Sequence, residues 1–306
     1  MVRILGFLVG LGFVGVAAWS LLWGAIAYVN ERPAESVEHH FHVEPRNVSF
    51  SFDGPFGRYD RQQLQRGFQV YKEVCAACHG LNLVAFRNLH DLGYSEAEVD
   101  AIAEQWPIQV PSINPDTGEP ATRTALPADR FPNPYPNETA ARAANNNALP
   151  PDLSLIVKAR EGGAPYVASL LTGYQNPPAD LPAENRPGPG LHFNPYFANL
   201  NIAMPPPIVA DGQVAYAPGN PAPTREQMAQ DVAAFLAWTA EPHLGPRRDA
   251  GIVALVFLIF ATILAYLAYQ NIWHGPTSRR VRATGPLDPE NQAKSEAASR
   301  EAGIEG

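Results

Sequence analysis

Two blocks of the chain carry apolar residues without interruption by charge, and the region between them alternates apolar and polar positions. From Ile4 to Val29 no residue is charged, with Arg3 before the run and Glu31 and Arg32 after it. From Ala250 to Tyr269 the same holds, between Arg247, Arg248 and Asp249 on one side and Trp273, Arg279, Arg280 and Arg282 on the other. Each run reaches the ~20 residues that a helix needs to cross a bilayer. The second predicts a transmembrane helix over 250–272, with an aromatic at its exit and the larger arginine cluster favouring a cytoplasmic tail over 273–306. From Thr284 onward that tail is polar and charged, which predicts disorder. The first run, residues 1–29, has two readings. It is a retained N-terminal anchor, or a signal peptide in which Arg3 supplies the n-region and Ala25 and Ala27 form a cleavage site before Tyr28. Either reading exports the next segment of the chain.

Residues 30–249 then form a soluble domain with helical periodicity. Asp60, followed by Gln63, has the pattern of a capping box, and Leu64, Phe68 and Tyr71 fall on one face of a helix that runs into Cys75. Ser95 with Glu98 opens a second helix, which Pro107 ends. Asp152 to Glu161 reads as a helix entered by Pro150 and Pro151 and stopped by Gly162 and Gly163, and Pro165 to Thr172 as another stopped by Gly173. Thr224 with Gln227 opens a helix whose apolar face is Met228, Val232, Phe235 and Leu236, ending at Pro242. The opening from Glu31 to Gly57, with His39, His40 and His42, reads as an extended arm. No other run predicts a strand, so the expected fold is mainly α.

Composition modifies this picture. Among 306 residues there are 31 prolines, concentrated in 107–151 and 176–223. Proline lacks the amide donor that helices and sheets use, so these stretches predict long loops, and loops of that length in a compact domain usually cover a ligand. The formal charge of −8 argues against a nucleic-acid partner. It suits a basic protein partner, or serves solubility alone.

The chemistry is concentrated in Cys75-Ala76-Ala77-Cys78-His79, which contains both cysteines of the chain. Two thiols one helical turn apart can add to the two vinyl groups of a haem, and the adjacent imidazole reaches the iron from the same side. A thioredoxin-like redox pair would need a βαβ setting, which is absent from the pattern. A zinc site would have to recruit two of His39, His40 and His42. A covalent haem explains all three residues. For the sixth position on iron the chain offers few thioethers: Met1, Met228 on a helix face, and Met204 in Asn201-Ile202-Ala203-Met204-Pro205-Pro206-Pro207. The three prolines hold Met204 in a stiff extended loop, which makes it the preferred ligand over His192. A haem also carries propionates that need partners. Arg160, with Tyr166 beyond the Gly162-Gly163 break, is a candidate, and a solvated surface charge is the competing reading.

Several segments together resemble the cytochrome c1 family. They are Gly67-Phe68-Gln69-Val70-Tyr71-Lys72 leading into Cys75–His79, Phe131-Pro132-Asn133-Pro134-Tyr135-Pro136-Asn137, Ala140 to Leu153, Lys158 to Gly163, Leu170 to Tyr174, and Met204 to Pro207. The likeness runs in order over about residues 55 to 275. It implies a c-type cytochrome domain facing the periplasm of a bacterial inner membrane, with one covalently bound haem c. The implied role is that of the electron-transfer subunit of the quinol:cytochrome c reductase (cytochrome bc1) complex, with no bond-making catalysis of its own. Its implied partners are cytochrome b, the Rieske iron–sulfur protein that supplies the electron and a soluble cytochrome c that takes it, within a dimeric complex. By the same resemblance Cys75 and Cys78 are the thioether positions, His79 and Met204 the axial ligands, Arg160 and Tyr166 contacts to the propionates, and Asn145 and Pro151 positions in the haem pocket. The long N-terminal apolar segment departs from the shorter, cleaved signal common in bacterial members. An anchored c-type cytochrome serving another oxidase or dehydrogenase is the alternative.

Overall fold

The computed structural model describes residues 2–30, 36–277, 289–301 and 303. Glu31, Arg32, Arg279, Arg280, Arg282 and Thr284, on which part of the topology argument rests, lie outside the described residues. The chain divides into two compact units, 1–242 and 243–306.

The first unit contains α1 (Val2–Asn30), α2 (Val37–Phe41), α3 (Arg61–Val70), α4 (Glu96–Glu104), α5 (Glu138–Ala144), α6 (Gly163–Thr172) and α7 (Arg225–Ala240). Its described strands are two antiparallel ribbons: β1 (Val110–Ile113) with β2 (Pro120–Arg123), and β3 (His192–Phe193) with β4 (Asn201–Ile202). The second unit holds α8 (Leu244–Thr277) and α9 (Pro289–Glu301). Helix α1 and the 244–272 part of α8 are each long and apolar enough to cross a membrane.

The core forms where α3 and α6 pack on α7. Asp60 caps α3, its Oδ1 accepting from the Gln62 amide at 2.9 Å, and Leu64, Phe68 and Tyr71 turn inward as their spacing requires. Gly67 faces α7: a Cβ there would collide with the Asp231 carbonyl and the Phe235 side chain, so only glycine permits this crossing. Phe68, Tyr71, Phe86, Trp106, Phe131, Phe235 and Trp238 join into one aromatic cluster, with ring centroids 4.2–6.3 Å apart along it. Each fully buried ring of this size contributes roughly 1.5–3 kcal/mol of transfer free energy, and Phe86, Phe131 and Phe235 are at most 1% exposed.

The departures from expectation have specific causes. Residues 152–162 are turns, not helix, because their polar groups reach across the fold. The Asp152 carboxylate accepts from the Asn82 and Ser154 amides at 2.7 and 2.9 Å, and the Leu153 amide donates to the Gly80 carbonyl at 3.0 Å. The Pro-rich stretches form short ribbons: β1 and β2 are joined through a turn at Gly118 (φ 72°), and their prolines sit in a two-stranded ribbon with free edges. The opening arm is mostly extended, with α2 as its one helical turn, and ties to α6 through the Arg46 amide and Ser169 Oγ at 2.9 Å. Ser95 and Glu98 form the full capping box on α4. Asp60 and Thr224 cap without the reciprocal glutamine bond, since Gln227 is committed to Asp231. Helix α7 is buried on every side from Asp231 to Ala240 rather than on one face. Helix α8 begins at Leu244, so Arg247, Arg248 and Asp249 lie inside it. The tail contains α9 where composition predicts disorder, since its alanines, glutamates and glutamine favour helix and Lys294 pairs with Glu290 one turn back.

Candidate haem site

Helix α3 does not end in an ordinary cap. It passes into a wider π turn over Tyr71–Cys75, in which the Ala76 amide reaches back to the Tyr71 carbonyl at 2.8 Å. The Cys78 and His79 amides then both donate to the Cys75 carbonyl, at 3.1 and 2.9 Å. Cys75, Cys78 and His79 are thereby gathered on one tight turn. A Cβ at Gly80 would collide with Asn133 Oδ1, so the chain passes directly under the 131–137 loop.

His79 is half-buried, and its Nδ1 lies 2.8 Å from the Pro151 carbonyl. A carbonyl can only accept, so Nδ1 carries the proton and Nε2 is the nitrogen left for a metal. Burial lowers the affinity of the ring for a second proton, and the Pro151 bond opposes that only in part. Tyr71, almost fully buried, donates from its hydroxyl to the His79 carbonyl at 3.0 Å and holds the same residue from the other side.

The two sulfurs are unpaired, with the Tyr135 hydroxyl 3.8 Å from Cys78 Sγ. Burial, and behind it the neighbouring Cys78, push the Cys75 thiol up to about 12. Redox dithiols instead carry a depressed thiol, and Cys75 is shifted the opposite way. Among the described residues no three His, Cys, Asp or Glu side chains converge on a metal site, and His39 and His40 are exposed on α2. The zinc reading goes with them. Two unpaired sulfurs, one imidazole with Nε2 available and a thioether elsewhere in the same unit match what a c-type haem requires.

Met204 lies just beyond β4, half-buried, and the Tyr174 hydroxyl donates to its carbonyl at 3.1 Å. Tyr166 and Arg160 belong to this neighbourhood. Burial raises the Tyr166 phenol while the Arg160 charge pulls it down, and Tyr166 in turn acts on Tyr174, whose own phenol burial raises. Arg160 itself is exposed, on a turn rather than on the expected helix, with Nη1 donating to the Ala159 carbonyl at 3.0 Å. Pro151 enters the site through its carbonyl. Asn145 closes α5 and turns its side-chain amide back to the Ala141 carbonyl at 2.7 Å. A cleft of about 410 Å³ beside it is lined by Thr139, Arg142, Ala143, Asn146 and Asn147, and by none of Cys75, Cys78, His79 or Met204. Tyr71, Tyr135, Asp152 and Tyr174 hold the site together; the sequence sets them on a helix face or in the family-like segments without giving any of them a role at the site. Tyr71 carries a usable signal, since it precedes Cys75 by one turn of the same helix.

A model of the Cytochrome C1 family matches residues 50–275. Cytochrome c1 of Rhodospirillum rubrum is 44% identical over 243 residues, covering 76% of this chain and 88% of that one. The mitochondrial cytochrome c1 haem protein of Saccharomyces cerevisiae is 41% identical over 269 residues, covering 87% and 84%. The chain belongs to the cytochrome c1 family. A third relative, cytochrome b/c1 of Bradyrhizobium diazoefficiens, is 44% identical over 251 residues, and this chain spans only 36% of its length. Membership of the cytochrome c1 family makes this a haem protein of electron transport with a covalently bound haem c. The two apolar helices accord with a membrane protein.

Proposed function

We propose that this chain is the electron-carrying haem subunit of a quinol:cytochrome c reductase, the cytochrome bc1 complex. The observation that carries the reading is the turn holding Cys75, Cys78 and His79, with both sulfurs unpaired and His79 Nδ1 committed to Pro151. In this reading Cys75 and Cys78 would bear the thioethers, His79 Nε2 and Met204 Sδ would hold the iron, Arg160 and Tyr166 would meet the propionates, and Asn145 and Pro151 would line the pocket. A c-type haem held there supplies a one-electron Fe(III)/Fe(II) couple, and a thioether ligand raises its potential. The protein does no bond-making. Pro151 and Tyr71 fix the imidazole, Tyr174 steadies the Met204 backbone, and the aromatic cluster excludes water behind the His79 turn.

The electron comes from a mobile Rieske iron–sulfur protein and leaves to a soluble cytochrome c, with cytochrome b as the membrane partner in a dimeric complex. The joint name cytochrome b/c1 of the Bradyrhizobium relative supports the pairing with cytochrome b. The haem domain faces the periplasm of a bacterial inner membrane, anchored by α8, with α1 a second anchor or a signal. The net charge of −8 suits a basic cytochrome c.

Copurification from detergent-solubilised membranes tests the assignment. A b-type cytochrome and a Rieske protein should accompany the chain, and an oxidase or dehydrogenase in their place would overturn it. Turnover with a basic cytochrome c should fall as salt rises; a flat response would remove electrostatic docking from the reading.

A further inference from the structure

Where α3 crosses α7, Arg66 and Asp231 form a buried pair. Arg66 Nε and Nη2 donate to the two Asp231 carboxylate oxygens at 2.8 and 3.1 Å, and Gln227 Nε2 donates to the same carboxylate at 2.9 Å. Burial works against the Arg66 charge, but Asp231 outweighs it and holds the guanidinium above its ordinary value. Such a pair adds little net stability over apolar packing, so its use lies in what it positions.

The free arm of Arg66 points at another segment. Nη1 donates to Asn220 Oδ1 at 3.3 Å, and the guanidinium carbon lies 5.8 Å from the centroid of the Tyr216 ring. Almost one turn along α3, Gln69 Nε2 donates to the Ala215 carbonyl at 2.9 Å. Ala215, Tyr216 and Asn220 belong to the loop beyond Met204. Inside that loop Gln213 Nε2 donates to the Pro207 carbonyl at 2.8 Å and its Oε1 accepts from the Val209 amide at 2.8 Å, while Ile208 and Val214 are buried. A continuous set of contacts therefore runs from α3 through 215–220 and Gln213 to Pro207, three residues from Met204. Upstream the delivery is strained: Leu200, just before β4, has φ 65°, a left-handed conformation that disfavours a non-glycine residue.

We propose that Arg66 and Gln69 are positioning residues for the Met204 thioether, latching the loop behind Met204 to the helix that leads into the His79 turn, so that α3 helps to place both residues proposed to hold the iron. The inference rests on Met204 being the ligand, as proposed above. A thioether is a weak ligand whose occupancy depends on how firmly its loop is confined, and releasing the latch lets small molecules compete for the iron.

The test uses the full-length, haem-loaded membrane protein and two readouts, the thioether-to-iron absorption band of the ferric form and its affinity for added imidazole. Gln69→Ala/Gln213→Ala and Arg66→Lys should weaken the band and bind imidazole about tenfold more tightly, as expected for loss of one or two hydrogen bonds, with helical content and haem attachment unchanged. Folded variants with the unmodified band and imidazole affinity would overturn the latch. Should Arg66→Lys not fold, Gln69→Ala/Gln213→Ala, away from the buried pair, decides alone. Met204→Leu separates the two claims: a band that survives this change sinks the ligand assignment, whereas a band lost there but untouched in the latch variants sinks only the latch.

Discussion

The segment carrying His79 and the segment carrying Met204 are built on opposite principles. The first is largely local: a capped helix, a π turn and a tight Cys75–His79 turn, steadied by the Tyr71 hydroxyl one helical turn before Cys75 and by the Pro151 carbonyl. The second has almost no structure of its own beyond a two-residue strand and three prolines, and depends on Tyr174, Gln213 and the α3 latch. With the ligand roles proposed above, His79 is secured mainly by its own turn with one distant carbonyl, whereas Met204 on its loop requires confinement from several distant residues.

Substitutions can break this contrast, beginning with the largest expected effect. Gly67→Val drives a Cβ and its methyls into the Asp231 carbonyl, forcing α3 off α7. The expected cost is about 3 kcal/mol or more, with loss of the folded haem protein, read from the urea midpoint. A variant as stable as the parent would show that the crossing has slack. Met204→Leu strikes the other side. Attachment of haem through the cysteines should persist while the thioether band disappears and the reduction potential falls, measured by redox titration; an unaltered potential would mean that the loop holds no ligand. Tyr71→Phe removes one donor from the His79 carbonyl and should cost about 1 kcal/mol of stability. If the His79 side is held redundantly, its potential should move far less than that of Met204→Leu.

The smallest effect concerns pH. Hydrogen bonds from Arg123 hold the Asp129 carboxyl below its ordinary range, and Asp129 sits in the loop that leads to Phe131. The unfolded chain therefore takes up this proton first. The contribution is complete above the usual carboxylate pKa near ~4 and is lost as pH falls through the depressed native value. Because the pair is partly exposed, about 1 kcal/mol or less is at stake. Asp129→Asn should flatten the acid limb of the stability profile by that amount, and an unchanged limb would assign it to other carboxylates.

Local signals in the sequence are reliable wherever the chain satisfies itself locally. The caps at Asp60, Ser95 and Thr224, the stops at Pro107, Gly173 and Pro242, and the Cys75–His79 turn all depend on neighbours a few positions away. The expected helix over 152–161 does not form, because its caps and breakers are real but Asp152 and Leu153 bond to residues some seventy positions earlier. The ribbons of β1–β2 and β3–β4 are silent in the sequence because prolines and two-residue strands leave no alternation to detect. Arg160 lies on a turn rather than on the expected helix, and from there its charge lowers the Tyr166 phenol against the effect of burial. Tyr174, Gln213 and Arg66 act through contacts that only the folded chain creates.

The all-round burial of α7 dictates an order of assembly. Arg66 and Asp231 are separated by 165 positions, so the aromatic cluster cannot close until nearly the whole domain has been synthesised. The last helix of the domain to emerge is the one on which α3 and α6 pack, and apolar α8 comes within a few residues of it. Completion of the domain and emergence of apolar α8 are thus consecutive events of translation. A fragment without the two apolar helices must start beyond α1 and end after Ala240, because any truncation ahead of Thr224 removes the central helix around which α3 and α6 pack.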